Sequence, residues 1–227
     1  MEVRQLTDNK ALNNLITKLP NNNHMFDTRE KKERAVGTKL FLKAHRCNSP
    51  KCATIRRPQR PGLHGKAYKS LSEFGQQLKE KQRIRFTYGL RETQMQRVVR
   101  EATKNPGVTG PLIISLLERR LDNAVYRLGF APSRSVARQL VSHGHILVDG
   151  HKVTAPSYRV KKEELITIRP QSKEHPILKS LPDVLKKYEP PVWLALDADK
   201  LEGKILSDPK DFEVPFDVNL VVDYYSK

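Results

Sequence analysis

Only two cysteines, Cys47 and Cys52, occur in the 227 residues. That is too few for a disulfide framework in a chain of this length, so a reducing, cytoplasmic setting is expected. No stretch reaches the roughly 18 apolar residues that a membrane-spanning helix requires. Residues 1–20 mix both charge signs without an apolar run and do not read as a secretory signal, and Glu2 and Asp8 disfavour an organellar transit peptide. The sequence lacks a phosphate-cradling glycine loop, a Ser/His/Asp arrangement and internal repeats. Acidic residues are also scarce. Asp and Glu number 25 against 42 Lys and Arg, a net charge of +17. Such an excess repels itself in a compact state, and a polyanion relieves it. Nucleic acid is the first candidate and an anionic membrane surface the second.

The excess is uneven. Residues 29–104 hold 21 Lys/Arg against 6 Asp/Glu, a net of +15, whereas residues 170–227 hold 8 against 11, a net of −3. A solvated helix face would pair its signs; residues 29–104 do not, and this favours polyanion binding there. The acidic tail suggests protein neighbours.

Four stretches emerge along the chain. Residues 1–28, interrupted by Pro20 and Asn21-Asn22-Asn23, read as a flexible extension. Residues 29–109 form a basic loop and helical domain. Within it, residues 46–67 carry Ser49-Pro50, Arg57-Pro58, Arg60-Pro61-Gly62 and His64-Gly65, too polar and proline-rich to pack a core of their own. Ser72 reads as the N-cap of a helix over residues 73–87, with Phe74, Leu78 and Ile84 on its apolar side. A second helix spans about 92–103. Gly110-Pro111 opens a third, whose Ile113, Leu116, Leu117, Leu121, Val125 and Leu128 recur at helical spacing until Gly129. Residues 110–175 combine this helix with a smaller domain. There Ser133 caps a short helix that Gly144 stops, strands follow at 145–148 and 152–154 around the Asp149-Gly150 turn, and another lies at 165–169. Residues 176–227 offer a helix near 177–188 and strands near 193–196 and 218–225, partly packing back on the other domains. The predicted class is α+β: a mostly helical basic domain with an inserted domain of short helices on a small, mostly antiparallel sheet.

The unit from 133 to 159 is the most informative. Arg134 and Arg138 lie four apart and share a helix face, while Val136, Ala137, Leu140 and Val141 take another. The cations and amide donors suit the backbone of folded RNA better than a base-reading groove. The run Ser133-Arg134-Ser135-Val136-Ala137-Arg138-Gln139-Leu140-Val141, then Ser142-His143-Gly144-His145-Ile146-Leu147-Val148-Asp149-Gly150, closely resembles the S4-type RNA-binding domain. The segments Leu117-Glu118-Arg119-Arg120-Leu121-Asp122-Asn123, Arg46-Cys47-Asn48-Ser49-Pro50-Lys51-Cys52, Phe74-Gly75 with Gln77-Leu78-Lys79, and Tyr224-Tyr225-Ser226-Lys227 resemble, in order, the rest of the bacterial-type small-subunit ribosomal protein S4 family. The resemblance covers about residues 39–227. It implies a structural constituent of the small ribosomal subunit, not an enzyme. It implies a primary ribosomal RNA binder that nucleates assembly and influences decoding accuracy near the channel through which messenger RNA enters. The implied partners are small-subunit ribosomal RNA and neighbouring ribosomal proteins, with no membrane and no homo-oligomer.

The residues expected to contact RNA are Arg56, Arg57, Arg60, His64, Lys66 and Lys69 in the loop and Lys81, Arg83 and Arg85 on the first helix. Arg134, Arg138, Gln139, His143, Lys152 and Arg159 follow in the S4-type domain. For His143 and His145, which flank Gly144, RNA contact and local hydrogen bonding read equally well. Arg120-Leu121-Asp122 matches the catalytic run of pseudouridine synthases. The rest of that signature is missing, and Asp122 falls in a periodic helix, so a helix-surface or capping role is expected. Many bacterial relatives carry four cysteines that hold zinc. Here Cys47 and Cys52 are a remnant pair, and Glu30 and Glu33 stand where the other two would lie. Structural zinc needs four suitable ligands, so no metal and no other cofactor is expected.

Overall fold

The structure, a computed structural model, describes residues 29–226 apart from 48, 68–69, 106, 173–174, 176–177, 179–180, 187 and 210–215. The expectations for residues 1–28 lie outside it. The chain divides into two compact units. One runs to Glu118 and resumes after residue 209; the other comprises residues 119–209.

The first unit begins with α1 (Arg29–Val36), α2 (Ala44–Cys47) and α3 (Ala53–Arg56), followed by the turns of residues 58–67. Next come α4 (Glu73–Thr87), α5 (Glu92–Lys104) and α6 (Thr109–Glu118). Ser72 caps α4 as expected, its hydroxyl accepting from Gly75 N–H at 3.2 Å. Ile84, Met95, Val99, Ala102, Ile113 and Leu117 form the core. Phe74 does not join it; half-exposed, it stacks on Tyr224 at 5.5 Å.

The C-terminal residues close this core in a form the sequence did not suggest. The expected strand at 218–225 is instead a helix, α10 (Val218–Ser226). The β-branched residues Val218, Val221 and Val222 favour extended structure. Two other effects outweigh that preference. The Asp217 carboxylate accepts from the N–H groups of Asn219 and Leu220 at the helix start, and Val221 enters the core between the other helices of the unit.

The second unit starts with a further departure. The helix expected to run from 110 to 128 breaks after α6. Arg119 and Arg120 leave the helical path and run antiparallel to residues 156–160, with Leu121 N–H donating to Tyr158 C=O at 2.8 Å and Val160 N–H to Arg119 C=O at 2.9 Å. Helical periodicity persists across the break because both pieces bury one apolar face. Then α7 (Leu121–Arg127) and α8 (Arg134–Ser142) pack on a sheet made of β1 (Ile146–Val148), β2 (His151–Lys152), β3 (Leu165–Ile168), β4 (Leu194–Asp197) and β5 (Glu202–Ile205). The strand order is β2-β1-β3-β5-β4 with every pairing antiparallel. Val148 pairs with His151 across the two-residue Asp149-Gly150 turn, where both residues have positive φ, 47° and 79°, as a type I′ hairpin requires. A 3-10 turn, Pro170–Ser172, and the short helix α9 (Leu181–Leu185) lie between β3 and β4; α9 covers part of the helix expected at 177–188. β5 had no counterpart in the sequence reading. It crosses Leu128 at Gly203, where a Cβ would collide with the leucine side chain. The architecture is α+β, with a helical basic unit and an S4-type unit of short helices on an antiparallel sheet.

Candidate nucleic-acid interface

In the first unit the expected RNA-contacting residues fall into two groups. Arg56, Arg57, Arg60, His64 and Lys66 are all exposed. Their loop is anchored from behind: Arg34 Nε donates to the carbonyls of Arg57 and Gln59 at 2.8 and 3.1 Å. Backbone is thus fixed while cationic side chains face solvent, an arrangement suited to phosphate. Lys69 lies outside the described residues.

The α4 cations sit differently. Lys81 is only 6% exposed. It donates to Glu92 at 3.0 Å and lies over the Tyr224 ring at 4.3 Å. Arg85 reaches the other Glu92 oxygen at 2.9 Å, and Arg83 grips Glu80 with two contacts of 2.7 and 2.9 Å. Tyr225 also donates to Glu92, at 2.7 Å. Burial pushes the Glu92 carboxyl up, but Tyr225, Lys81 and Arg85 together hold it below its ordinary value. Lys81 and Arg85 therefore rivet α4 to α5, Lys81 also lying over Tyr224 of α10, while Arg83 pairs within α4.

A second buried carboxylate sits among the N-terminal helices. Glu33, 1% exposed, accepts from the N–H groups of Leu40 and Leu42 at 3.2 and 3.0 Å. The Cys47 thiol lies against both its oxygens at 3.7 and 3.6 Å. Burial first, then the Glu33 charge, pushes that thiol up to about 12. Cys52 Sγ is 2.9 Å from Thr54 Oγ1, and Glu30 is ion-paired with Arg46 at 2.9 Å. Of the four side chains that would have to converge on a zinc ion, Cys47 and Glu33 meet each other, while Cys52 and Glu30 are turned to Thr54 and Arg46. Among the described residues no group of three or more His, Cys, Asp or Glu is placed to hold a metal. Structural zinc sites are built from four thiolate or imidazole ligands, and here the two thiols are matched by two carboxylates.

In the second unit, Gln139, His143, Lys152 and Arg159 are exposed. Arg134 and Arg138 turn inward instead. Arg134 Nε donates to Asn123 Oδ1 at 2.7 Å, and its guanidinium lies over the Tyr126 ring. Arg138 donates twice to Asp122 Oδ2, at 2.9 and 2.6 Å. Arg120 closes on the same carboxylate at 3.1 and 2.9 Å. Asp122 is not on the helix surface, as expected from the sequence; it is 3% exposed. One of its two neutralising partners, Arg138, lies 16 positions away, so no local pattern signals the burial. A carboxylate so enclosed lacks the exposure that catalysis on an RNA base would need.

The structure adds neighbours to His143. His145 lies 6.0 Å from it and 5.3 Å from His175, ring to ring. These imidazoles and Gln139 rim a shallow pocket floored by Val136 and Leu140. Gly144, at φ 74°, lets the Lys152 side chain cross the turn, where any Cβ would collide with it. His175 could not have been placed here from sequence, because the intervening residues include a strand and a turn.

The comparisons with known proteins agree with this division. Residues 26–118 match the family described as ribosomal protein S4/S9 N-terminal domain. Residues 119–166 match the S4 domain. Among similar curated proteins are the small ribosomal subunit proteins uS4 of Pelotomaculum thermopropionicum, Caldicellulosiruptor bescii and Gloeobacter violaceus. They are 45%, 47% and 47% identical over 196 residues, covering 86% of this chain and 94% of each relative.

Proposed function

This chain belongs to the uS4 family of small-ribosomal-subunit proteins, and on that premise we propose how its surfaces serve the subunit. It is a structural constituent of the ribosome and not an enzyme. Its principal ligand is small-subunit ribosomal RNA. The observation that carries this is the exposed, backbone-anchored set Arg56, Arg57, Arg60, His64 and Lys66. The second RNA surface is built from Gln139, His143, Lys152 and Arg159 of the S4 domain.

The fine roles follow from the family and from charge. Two basic surfaces on one chain suit an early binder that ties RNA segments together as assembly begins. A position beside the path of messenger RNA, with influence on decoding accuracy, belongs to the same reading. The partners are ribosomal RNA and neighbouring ribosomal proteins, in the cytoplasm and without self-association. The N-terminal clasp works without zinc, because the buried Glu33 carboxylate gathers the Leu40 and Leu42 amides itself. Two measurements test this reading. Purified small subunits should contain the protein stoichiometrically, and its affinity for a small-subunit RNA transcript should fall steeply with salt. A flat salt dependence, or absence from the subunits, refutes it.

A further inference from the structure

The loop from Arg56 to Lys66 combines a one-sided charge with one conspicuous apolar side chain. From residue 34 to residue 72 the chain holds ten Lys/Arg and no Asp or Glu. Amid these cations stands Leu63, 95% exposed. Arg60, His64 and Lys66 beside it are exposed as well. The backbone that carries it is tightly turned. Gly65 N–H donates to Gly62 C=O at 3.3 Å, and Ala67 N–H to His64 C=O at 3.1 Å. A Cβ at Gly65 would collide with the Arg60 carbonyl, so the chain doubles back over residues 60–65. The Arg34 contacts to the Arg57 and Gln59 carbonyls hold the approach to this turn. Leu63 is thus presented on a fixed backbone, and little conformational entropy is left to lose when a partner covers it.

We propose that Leu63 is an apolar anchor that packs against the face of an unstacked base in ribosomal RNA, between phosphates held by the cations around it. The proposal rests on the ribosomal-RNA reading and deepens it, adding contact with a base to contact with the backbone. The sign of the surroundings selects the occupant. A stretch of ten cations with no acid of its own repels a basic protein and attracts a polyanion. Leucine cannot meet a phosphate. Its place on RNA is set by the apolar surfaces that RNA offers, the base faces and the ribose carbons. In a continuous A-form helix the base faces are stacked and closed. They open where a strand bends or branches, and there an aliphatic wedge can enter a base step.

The two kinds of contact on this loop carry different salt signatures. A cation on a phosphate releases counterions, so its loss flattens the dependence of affinity on salt. An apolar contact releases none, so its loss lowers affinity by the same factor at every salt concentration. Leu63 is outside the folded core, so its replacement leaves melting unchanged.

The test uses the full-length protein with two ligands, a small-subunit ribosomal RNA transcript and a continuous A-form RNA duplex, each titrated across a range of salt. Leu63→Ala is expected to bind the transcript about tenfold more weakly at every salt concentration, from the apolar surface lost, with the wild-type slope and melting temperature. Leu63→Asn, close to leucine in shape but polar, should lose as much, and Leu63→Met should recover most of the affinity. Arg60→Ala should instead flatten the slope by about one. On the duplex, Leu63→Ala should match the wild type. Wild-type affinity in Leu63→Ala or Leu63→Asn, a loss confined to low salt, or an equal loss on the duplex overturns the base contact while the RNA-binding reading stands. No transcript binding by the wild type overturns that reading as well.

Discussion

Replacing Asp122 with alanine tests the internal electrostatics of the S4 unit. Its carboxylate faces two guanidinium groups that differ in exposure. The Arg120 side chain is 9% exposed and that of Arg138 is 34% exposed. Without Asp122, Arg120 is left charged and buried. Breaking one partner from such a pair costs about 3–5 kcal/mol. The more exposed Arg138 contact is screened and adds less than about 1 kcal/mol. For a chain of this size the total corresponds to a melting shift of roughly 6–24 °C. The only tryptophan, Trp193, lies in the core of the same unit, so urea unfolding followed by its fluorescence reports this unit selectively. A large drop in the urea midpoint is expected for Asp122→Ala, with Asp122→Asn intermediate because the amide keeps one acceptor. A change below about 1 kcal/mol would refute the assignment of Asp122 as the neutralising centre.

Arg134→Ala/Arg138→Ala should lower both stability and RNA affinity, because Arg138 serves Asp122; chemical denaturation run beside binding separates the two losses. Glu33→Ala strands the buried Leu40 amide and the half-buried Leu42 amide and should cost about 2–6 kcal/mol, at about 1–3 kcal/mol each, measured by thermal unfolding; zinc chelators should leave the wild type unchanged. Cys47, held near 12 by burial and Glu33, should resist alkylation at pH 8 in the folded protein and react once urea exposes it; rapid native labelling would contradict the clasp. Glu92 has a folded value below its unfolded one. Its stabilising share is therefore complete above about pH 4.5, near the ordinary glutamate value, and is lost as pH falls through the lower folded value. Acid titration of Glu92→Gln should lack that part of the decline.

Legibility followed the range of the interactions. The Ser72 and Ser133 caps, the Asp149-Gly150 hairpin and the amphipathic α5 and α6 depend on neighbours within a few positions, and they were readable. The S4 unit announced itself through the contiguous run from 133 to 150. Features decided by distant partners were not readable. The α10 segment looks like a strand until the groove that receives Val221 is known. The pairing of Lys81 and Arg85 with Glu92 was not readable either, because that carboxylate lies 11 and 7 residues from them and its further partner Tyr225 lies 133 residues from it. Composition counts cations; it does not say which of them already has a carboxylate.

The placement of α10 bears on how the chain is made. The core of the basic unit awaits Val221, yet α6 ends at Glu118 and α10 begins at Val218. At ribosomal speeds of roughly 5–20 residues per second, about a hundred residues separate the two by on the order of 5–20 s. During that interval the most cationic half of the molecule has left the exit tunnel without its last helix, while the S4 unit, contiguous in sequence, can complete its sheet as soon as β5 emerges. Vectorial synthesis thus sets an order of folding: the later domain closes first, and the earlier one is sealed only when the Val218–Ser226 segment follows.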